Sequence, residues 1–408
     1  MTRISRRAAA TRHSAPIVGA TMLRRLPYGA NYLQWDEMAE LRGAIEDKAL
    51  FRYISSGTSV SSRLERLVEE RLGATRALAV HNGTEALRLA LMGTRPSAGD
   101  PVYIPAVTFV AVAGAVLSCG LVPVPVDVDE RCALDPTLLP ADAQRVIVAH
   151  MEGMVGPLPQ GIPYLIEDTA QAMGGRHADG RHAGTAGYAG TFSFHHAKVL
   201  TSGEGGLVVV RDPADWELLR SYHDHGSDRE HGKYPVWREG SFYGENFCAN
   251  EAVAAVQLQQ FRHLDEILAS LEQHHRMLST ELHDRPDIRQ VPRTDGDVKV
   301  SVRIELDSPE LRDRALNELT DKGLPCWTLD KYFLPGHPVV RDRASVYADG
   351  FPWNLDDGSE RYRPRSRDGF RATRHLLART LCLPLAPELD AAGQAQAAKE
   401  VAATLAAL

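Results

Sequence analysis

The chain has 408 residues, 44% of them hydrophobic and 24% charged, and a formal net charge of −7. That length predicts two or three domains of roughly 150 residues each, and the charge gives no electrostatic reason to expect nucleic acid or an anionic membrane as partner. No uninterrupted apolar run is long enough to span a bilayer, and the five scattered cysteines show no CxxC spacing, which fits free thiols in a reducing cytoplasm and no metal site.

Residues 1–30 read as a flexible basic arm, because Arg3, Arg6, Arg7, Arg12, Arg24 and Arg25 all precede the first acid, Asp36. No apolar run follows Arg6-Arg7, which disfavours a twin-arginine signal or a transit peptide. Residues 61–73 predict an amphipathic helix with Leu64, Leu67, Val68 and Leu72 on one face and Gly73 as its stop. A short strand at 77–80 runs into His81-Asn82-Gly83-Thr84, and a helix follows over 85–92. Strands are expected at 101–105, 122–128, 146–149, 164–166, 190–194 and 206–210, with a helix over 109–119. Strands alternating with helices predict an α/β fold with a buried, mostly parallel sheet sandwiched by helices. This large domain covers 31–263. A helical pattern over 250–282, broken near Leu264, leads into a smaller C-terminal α+β domain at 264–408. There, 299–306 reads as a strand of alternating character and 311–322 as a helix ended by Gly323. Residues 338–370 lack periodicity and predict a long excursion, and the last helix runs from about Ala391 to Leu408.

The chemistry lies in two strand ends. Glu167-Asp168-Thr169-Ala170-Gln171 closes one apolar run, and Ser193-Phe194-His195-His196-Ala197-Lys198 follows another and leads into Gly203-Glu204-Gly205-Gly206. Taken alone, Asp168 reads as a helix N-cap and Lys198 as a solvated charge. Together, at the carboxyl ends of strands where α/β sheets bind ligands, they are what pyridoxal 5'-phosphate (PLP) requires. The lysine forms the Schiff base, and the acid keeps the pyridine nitrogen protonated so that the ring acts as an electron sink. Asn82-Gly83-Thr84 opens a helix, whose N–H groups suit the phosphate, although it also reads as an ordinary N-cap turn. Ser193 can add a donor. Phe109, after Ile104-Pro105, can stack on the pyridine or serve as a core aromatic. His223, His225 and His231 with Asp224 and Asp228 form a polar loop that needs no metal.

These motifs together resemble the DegT/StrS-type family of PLP-dependent sugar aminotransferases, over residues 54–263, 311–337 and 377–387. The pieces that carry the likeness are Ser55-Ser56-Gly57, Asn82-Gly83-Thr84, Pro105 with Thr108-Phe109, the Glu167–Gln171 run and the Ser193–Gly206 stretch. The segment from Lys198 to Gly206 is most similar to the cyclitol branch, which includes scyllo-inosose aminotransferases; 3-amino-5-hydroxybenzoate synthases are a related branch. The resemblance implies PLP fold type I (aspartate-aminotransferase-like) and a homodimer with shared active sites. It implies Lys198 as Schiff-base lysine and proton shuttle, Asp168 at the pyridinium, and Gln171 near the ring hydroxyl. Gly83, Thr84 and Ser193 would hold the phosphate, and Asn246 would reach the partner's phosphate. The amino donor would be glutamate or glutamine.

Departures fall on the substrate side. Phe247 is followed by Cys248-Ala249 where the family commonly has Arg-Met, and Lys331 replaces the first histidine of a segment that continues through Tyr332 to His337. His195-His196 stand where the cyclitol branch often has glutamine. His196, Lys331, Tyr332 and His337 are therefore the candidate substrate residues. Lys331 either favours an acidic acceptor or is solvated. The retained Lys198 argues against the sugar 3-dehydratases, which carry histidine there. An aromatising synthase remains open, and the intact cofactor set argues against a non-catalytic scaffold.

Overall fold

A computed structural model describes residues 28–408 except 34, 54–58, 231–233, 325 and 387–388. Most of the basic arm, Ser55-Ser56-Gly57, His231 and Pro387 lie outside the described residues. The principal sheet contains β1 (Arg76–Val80), β2 (Pro101–Pro105), β3 (Val122–Val126), β4 (Arg145–Ala149), β5 (Tyr164–Asp168), β6 (Ala189–Ser193) and β7 (Gly206–Val210), in the order β1-β7-β6-β5-β4-β2-β3. From β6 through β5, β4 and β2 to β3 all pairings are parallel, whereas β7 is antiparallel to both of its neighbours.

Both faces of this sheet are covered, which explains why its strands read as continuous apolar runs. Leu78, Val80, Val208 and Val210 point into a cluster with α3 (Gly83–Gly93), α4 (Val110–Ser118) and α5 (Pro213–His223). Ala77, Ala79, Leu207 and Val209 point the other way, as the two-residue period of a strand demands. That second face packs against α2 (Val60–Leu72), α6 (Glu251–Arg262) and α7 (Leu264–Glu281), with α1 (Trp35–Glu46) lying on α6. The helical pattern at 250–282 breaks at His263, which ends α6 and precedes α7.

A two-stranded ribbon pairs β8 (Asp228–Glu230) with β9 (Tyr234–Val236), and a second antiparallel sheet joins β10 (Ile288–Gln290), β11 (Ser301–Leu306) and β12 (Thr380–Pro384). On it pack α8 (Pro309–Asp321) and α10 (Arg371–Arg379), with α11 (Ala391–Ala406) against α7 and α8, while α9 (Pro338–Arg341) lies against the clusters of the principal sheet through Val340. The largest apolar cluster runs without interruption from Phe192 and Leu207 through Leu271 to Val302, Leu383 and Val401, so the two sheets share a core.

One expectation changes. The alternating pattern of β11 predicts one wet face, yet all six of its residues are buried. Arg303 is accommodated because its guanidinium donates to the carbonyls of Glu130 and Arg131 and to Cys132 Sγ, while Glu305 pairs with Arg289 and Arg379. The 338–370 excursion wraps the edge strand β3 and packs Trp353 and Tyr362 on Val122 and Val124. Pro123 and Pro125 mark β3 as an edge. Arg365 N–H donates to Pro125 O and Asp127 N–H to Arg365 O, each at 2.8 Å, which covers that edge.

Candidate active site

The carboxyl ends of β1, β2, β4, β5 and β6 meet at one rim. Asp168 ends β5, in register with Thr191 of β6 and Ala149 of β4. Ser193 ends β6, and Lys198 lies in the turn beyond it. That turn is folded by Lys198 N–H to His195 O (2.9 Å), His196 N–H to Gly203 O (2.9 Å) and Thr201 Oγ1–H to Phe194 O (3.2 Å).

Asn82 caps α3 by accepting from Glu85 N–H at 2.9 Å, while the N–H groups of Gly83 and Thr84 have no acceptor among the described residues. A Cβ at Gly83 would stand 2.9 Å from Ser193 Cβ, so the α3 N-terminus and the Ser193 hydroxyl adjoin. Free helix-end donors beside a hydroxyl form an anion cradle. Asp168 Oδ1 accepts from Ala170 N–H at 3.1 Å, and Oδ2 has no hydrogen-bond partner among the described residues. Burial pushes the Asp168 carboxyl above its ordinary value, against the opposing pull of Ala170 N–H and Lys198. Burial likewise depresses the Lys198 amine, against the attraction of Asp168 and Glu152. An amine with lowered proton affinity, an acid lacking a cation and an open phosphate cradle are the unsatisfied groups PLP would complete.

Glu167, next to Asp168, is fully buried and saturated. It accepts from His177 Nε2 (2.7 Å), Gly184 N–H (3.0 Å), Ala186 N–H (2.8 Å), Gly187 N–H (2.9 Å) and His150 Nε2 (3.1 Å). Burial alone would raise its pKa, but the two histidines and Gly184 hold it well below the usual carboxylate range. Gly156 N–H donates to His150 Nδ1 at 3.2 Å, which assigns the His150 proton to Nε2. His150, Glu167 and His177 have metal-ligand spacing, and in this structure Glu167 is shared between the two histidines and the backbone while both ring nitrogens of His150 are engaged. In the polar loop, His223 bonds Ala79 O at 3.2 Å, Asp224 pairs with Arg229 and Asp228 with Arg220.

The segment from Lys331 to His337 docks on the β2–α4 turn, through Thr108 N–H to Tyr332 O (2.9 Å) and Leu334 N–H to Ala106 O (2.8 Å). This brings Tyr332 edge-on to Phe109, with ring centroids 6.3 Å apart; Phe109 itself precedes α4 and is half-exposed. Lys331 is exposed and stands over the Tyr332 ring at 5.0 Å. His337 caps α9, accepting from Val339 N–H at 3.3 Å. His196 and Asn246 are exposed, and Asn246 Oδ1 accepts from Cys248 N–H at 3.2 Å.

Gln171 Oε1 accepts from Glu152 N–H at 2.9 Å. Glu152 is the residue sequence reasoning missed. It lies beyond the carboxyl end of β4, 4% exposed, within the attraction that acts on Lys198. Its signal is close to the one that marks Asp168: an acid just past an apolar run, here Val146 to Ala149.

Residues 36–402 match the model of the DegT/DnrJ/EryC1/StrS aminotransferase family. The chain is 33% identical over 283 residues to the L-glutamine:2-deoxy-scyllo-inosose aminotransferase of Streptoalloteichus tenebrarius, covering 62% of this chain and 65% of that enzyme, which is just under two thirds. It is 32% identical over 329 residues to the 3-amino-5-hydroxybenzoate synthase of Amycolatopsis mediterranei, covering 74% of this chain and 82% of that protein. Among solved structures, the aminotransferase TlmJ from Streptoalloteichus hindustanus superposes with a TM-score of 0.73 at 25% identity, over 92% of this chain and 97% of that one. The chain belongs to the DegT/DnrJ/EryC1/StrS aminotransferase family, with the type I fold and the PLP cofactor that its strand-end residues fit.

Proposed function

We propose that the protein moves an amino group from glutamine or glutamate to a keto group on a cyclitol, sugar or related intermediate of secondary metabolism. The observation that carries this reading is the pairing of Lys198 and Asp168 at the ends of adjacent strands, beside the cradle of Gly83, Thr84 and Ser193. When bound, PLP supplies an electron sink for charge developing at the donor's α-carbon. With the cofactor in place, Asp168 would hold the proton on the pyridine nitrogen and Gln171 would lie near the ring hydroxyl. Phe109 would stack on the ring, and the Lys198 amine would take and return protons. Tyr332 and Lys331 bound the acceptor side, with His196 in the turn before Lys198. His337 is committed to its helix cap.

We further propose a homodimer in the cytoplasm with Asn246 completing the partner's cradle, and the division of the chain at residue 263. Support for the dimer comes from the exposed Leu33, Met38, Ile45 and Leu50 and from Phe242 and Tyr243 near Asn246. Light scattering should then give twice the 44.8 kDa chain mass. No helix among the described residues is long and apolar enough to cross a membrane.

The test of the function is incubation with α-15N-glutamine and a panel of keto-cyclitols and keto-sugars. The label in the product, with oxygen exchanged for nitrogen, is the expected result. Loss of water without label would favour the second reading, an aromatising synthase, which rests on the likeness to the Amycolatopsis protein. Neither product from any acceptor would overturn the proposal.

A further inference from the structure

Glu152 combines four features that no packing requirement explains. Its backbone is left-handed (φ 53°, ψ 31°), a conformation that is strained for a non-glycine residue. That conformation aims its N–H at Gln171 Oε1. The Gln171 amide is thereby oriented, and among the described residues its Nε2 has only the weak acceptor Met151 Sδ at 3.7 Å. The Glu152 carboxylate reaches the other sheet, where Oε1 accepts from Trp327 Nε1 (3.1 Å) and Oε2 from Ser301 Oγ (3.0 Å). Trp327 pairs with Cys382 of β12, so the anchors belong to the three-stranded sheet.

The ionisable groups around it are few. Asp168 from β5 and Glu152 from the β4–β5 connection are the acids whose charges act on the Lys198 amine. The charge of Glu152 in turn acts on Lys198, on the Cys132 and Cys382 thiols and on Arg293, which donates to its carbonyl at 2.6 Å and to Ser301 Oγ at 3.3 Å. With Asp168 assigned to the pyridine nitrogen, Glu152 is the other acid whose charge acts on the lysine nitrogen.

We propose that Glu152 is a positioning residue of this site: it fastens the three-stranded sheet to Gln171 through Ser301 and Trp327, and its charge balances the nitrogen that Lys198 contributes. The proposal rests on the reading of Lys198 as the cofactor lysine. It predicts that the resting enzyme loses the proton on that nitrogen at a pH set partly by Glu152.

The test is a pH titration of the bound cofactor's absorbance in the resting holoenzyme, without substrate. Glu152→Gln keeps the shape and removes the charge, so the midpoint should fall by about 1 pH unit. Glu152→Asp restores the charge and should return the midpoint toward wild type. A wild-type midpoint in loaded Glu152→Gln overturns the proposal. If Glu152→Gln does not load, Trp327→Phe decides: it keeps the charge but removes one anchor, and cofactor affinity should weaken about tenfold. Unchanged affinity in that variant overturns the proposal. Lys198→Ala separates the two readings, because a titration that persists without Lys198 defeats the lysine assignment instead.

Discussion

Glu167 and Asp168 are consecutive residues of one strand, and they sit in opposite kinds of pocket. Glu167 faces two histidines and three backbone N–H groups that satisfy it completely. Asp168 faces one N–H and an amine that burial has made a weaker base. The first pocket is finished by the chain alone. The second is finished only by something the chain does not encode. A saturated buried charge points to stability, and an unsaturated one beside a depressed amine points to function.

The comparison can be broken first at Lys198. Lys198→Ala should reduce turnover to background in a transamination assay, with the protein still folded; turnover well above background without an added amine would contradict the assignment. Next comes Glu167→Ala, which strands two histidines and three N–H groups and should destabilise the fold by about 3–5 kcal/mol, read by thermal or denaturant unfolding. Its pH dependence follows from the lowered carboxylate. The contribution is complete above the ordinary value of 4.5 and is lost as pH falls below it toward the depressed folded value. An unfolding midpoint equal to wild type at pH 7 would remove Glu167 from the structural role. Asp168→Asn should leave unfolding nearly unchanged while lowering kcat by roughly 100-fold or more, the reverse of the Glu167 pattern. Ser193→Ala should weaken PLP binding by about tenfold through one lost charged hydrogen bond, measured by cofactor titration. His337→Ala should cost at most about 1 kcal/mol, from its cap on α9, and leave cofactor affinity unchanged.

Much of this was legible because the information is local. The apolar runs place β1 to β7, and the polar residues that end them place Asp168, Ser193, Gly83 and Lys198 at one rim, since strands of one direction end on one side. The segments without a clear period, among them α1, the β8–β9 ribbon and β10, are not distinguishable in the sequence, because tertiary contacts rather than periodicity hold them. β11 reads as half-wet because Arg303 and Glu305 look like surface residues; carbonyls and arginines distant in sequence bury them. The irregularity of 338–370 is visible, but its seat on β3 depends on contacts between Arg365 and Pro125 that no local pattern announces. Glu152 was hidden for a related reason. Its partners Trp327 and Ser301 are more than a hundred residues away in sequence and meet it only in the fold.

The most direct test of the central claim is to reduce the holoenzyme with borohydride and map the modified lysine by peptide mass spectrometry. Cofactor fixed on Lys198 is the predicted result. Cofactor fixed on another lysine, such as Lys299 or Lys331, with Lys198 unmodified would contradict the account.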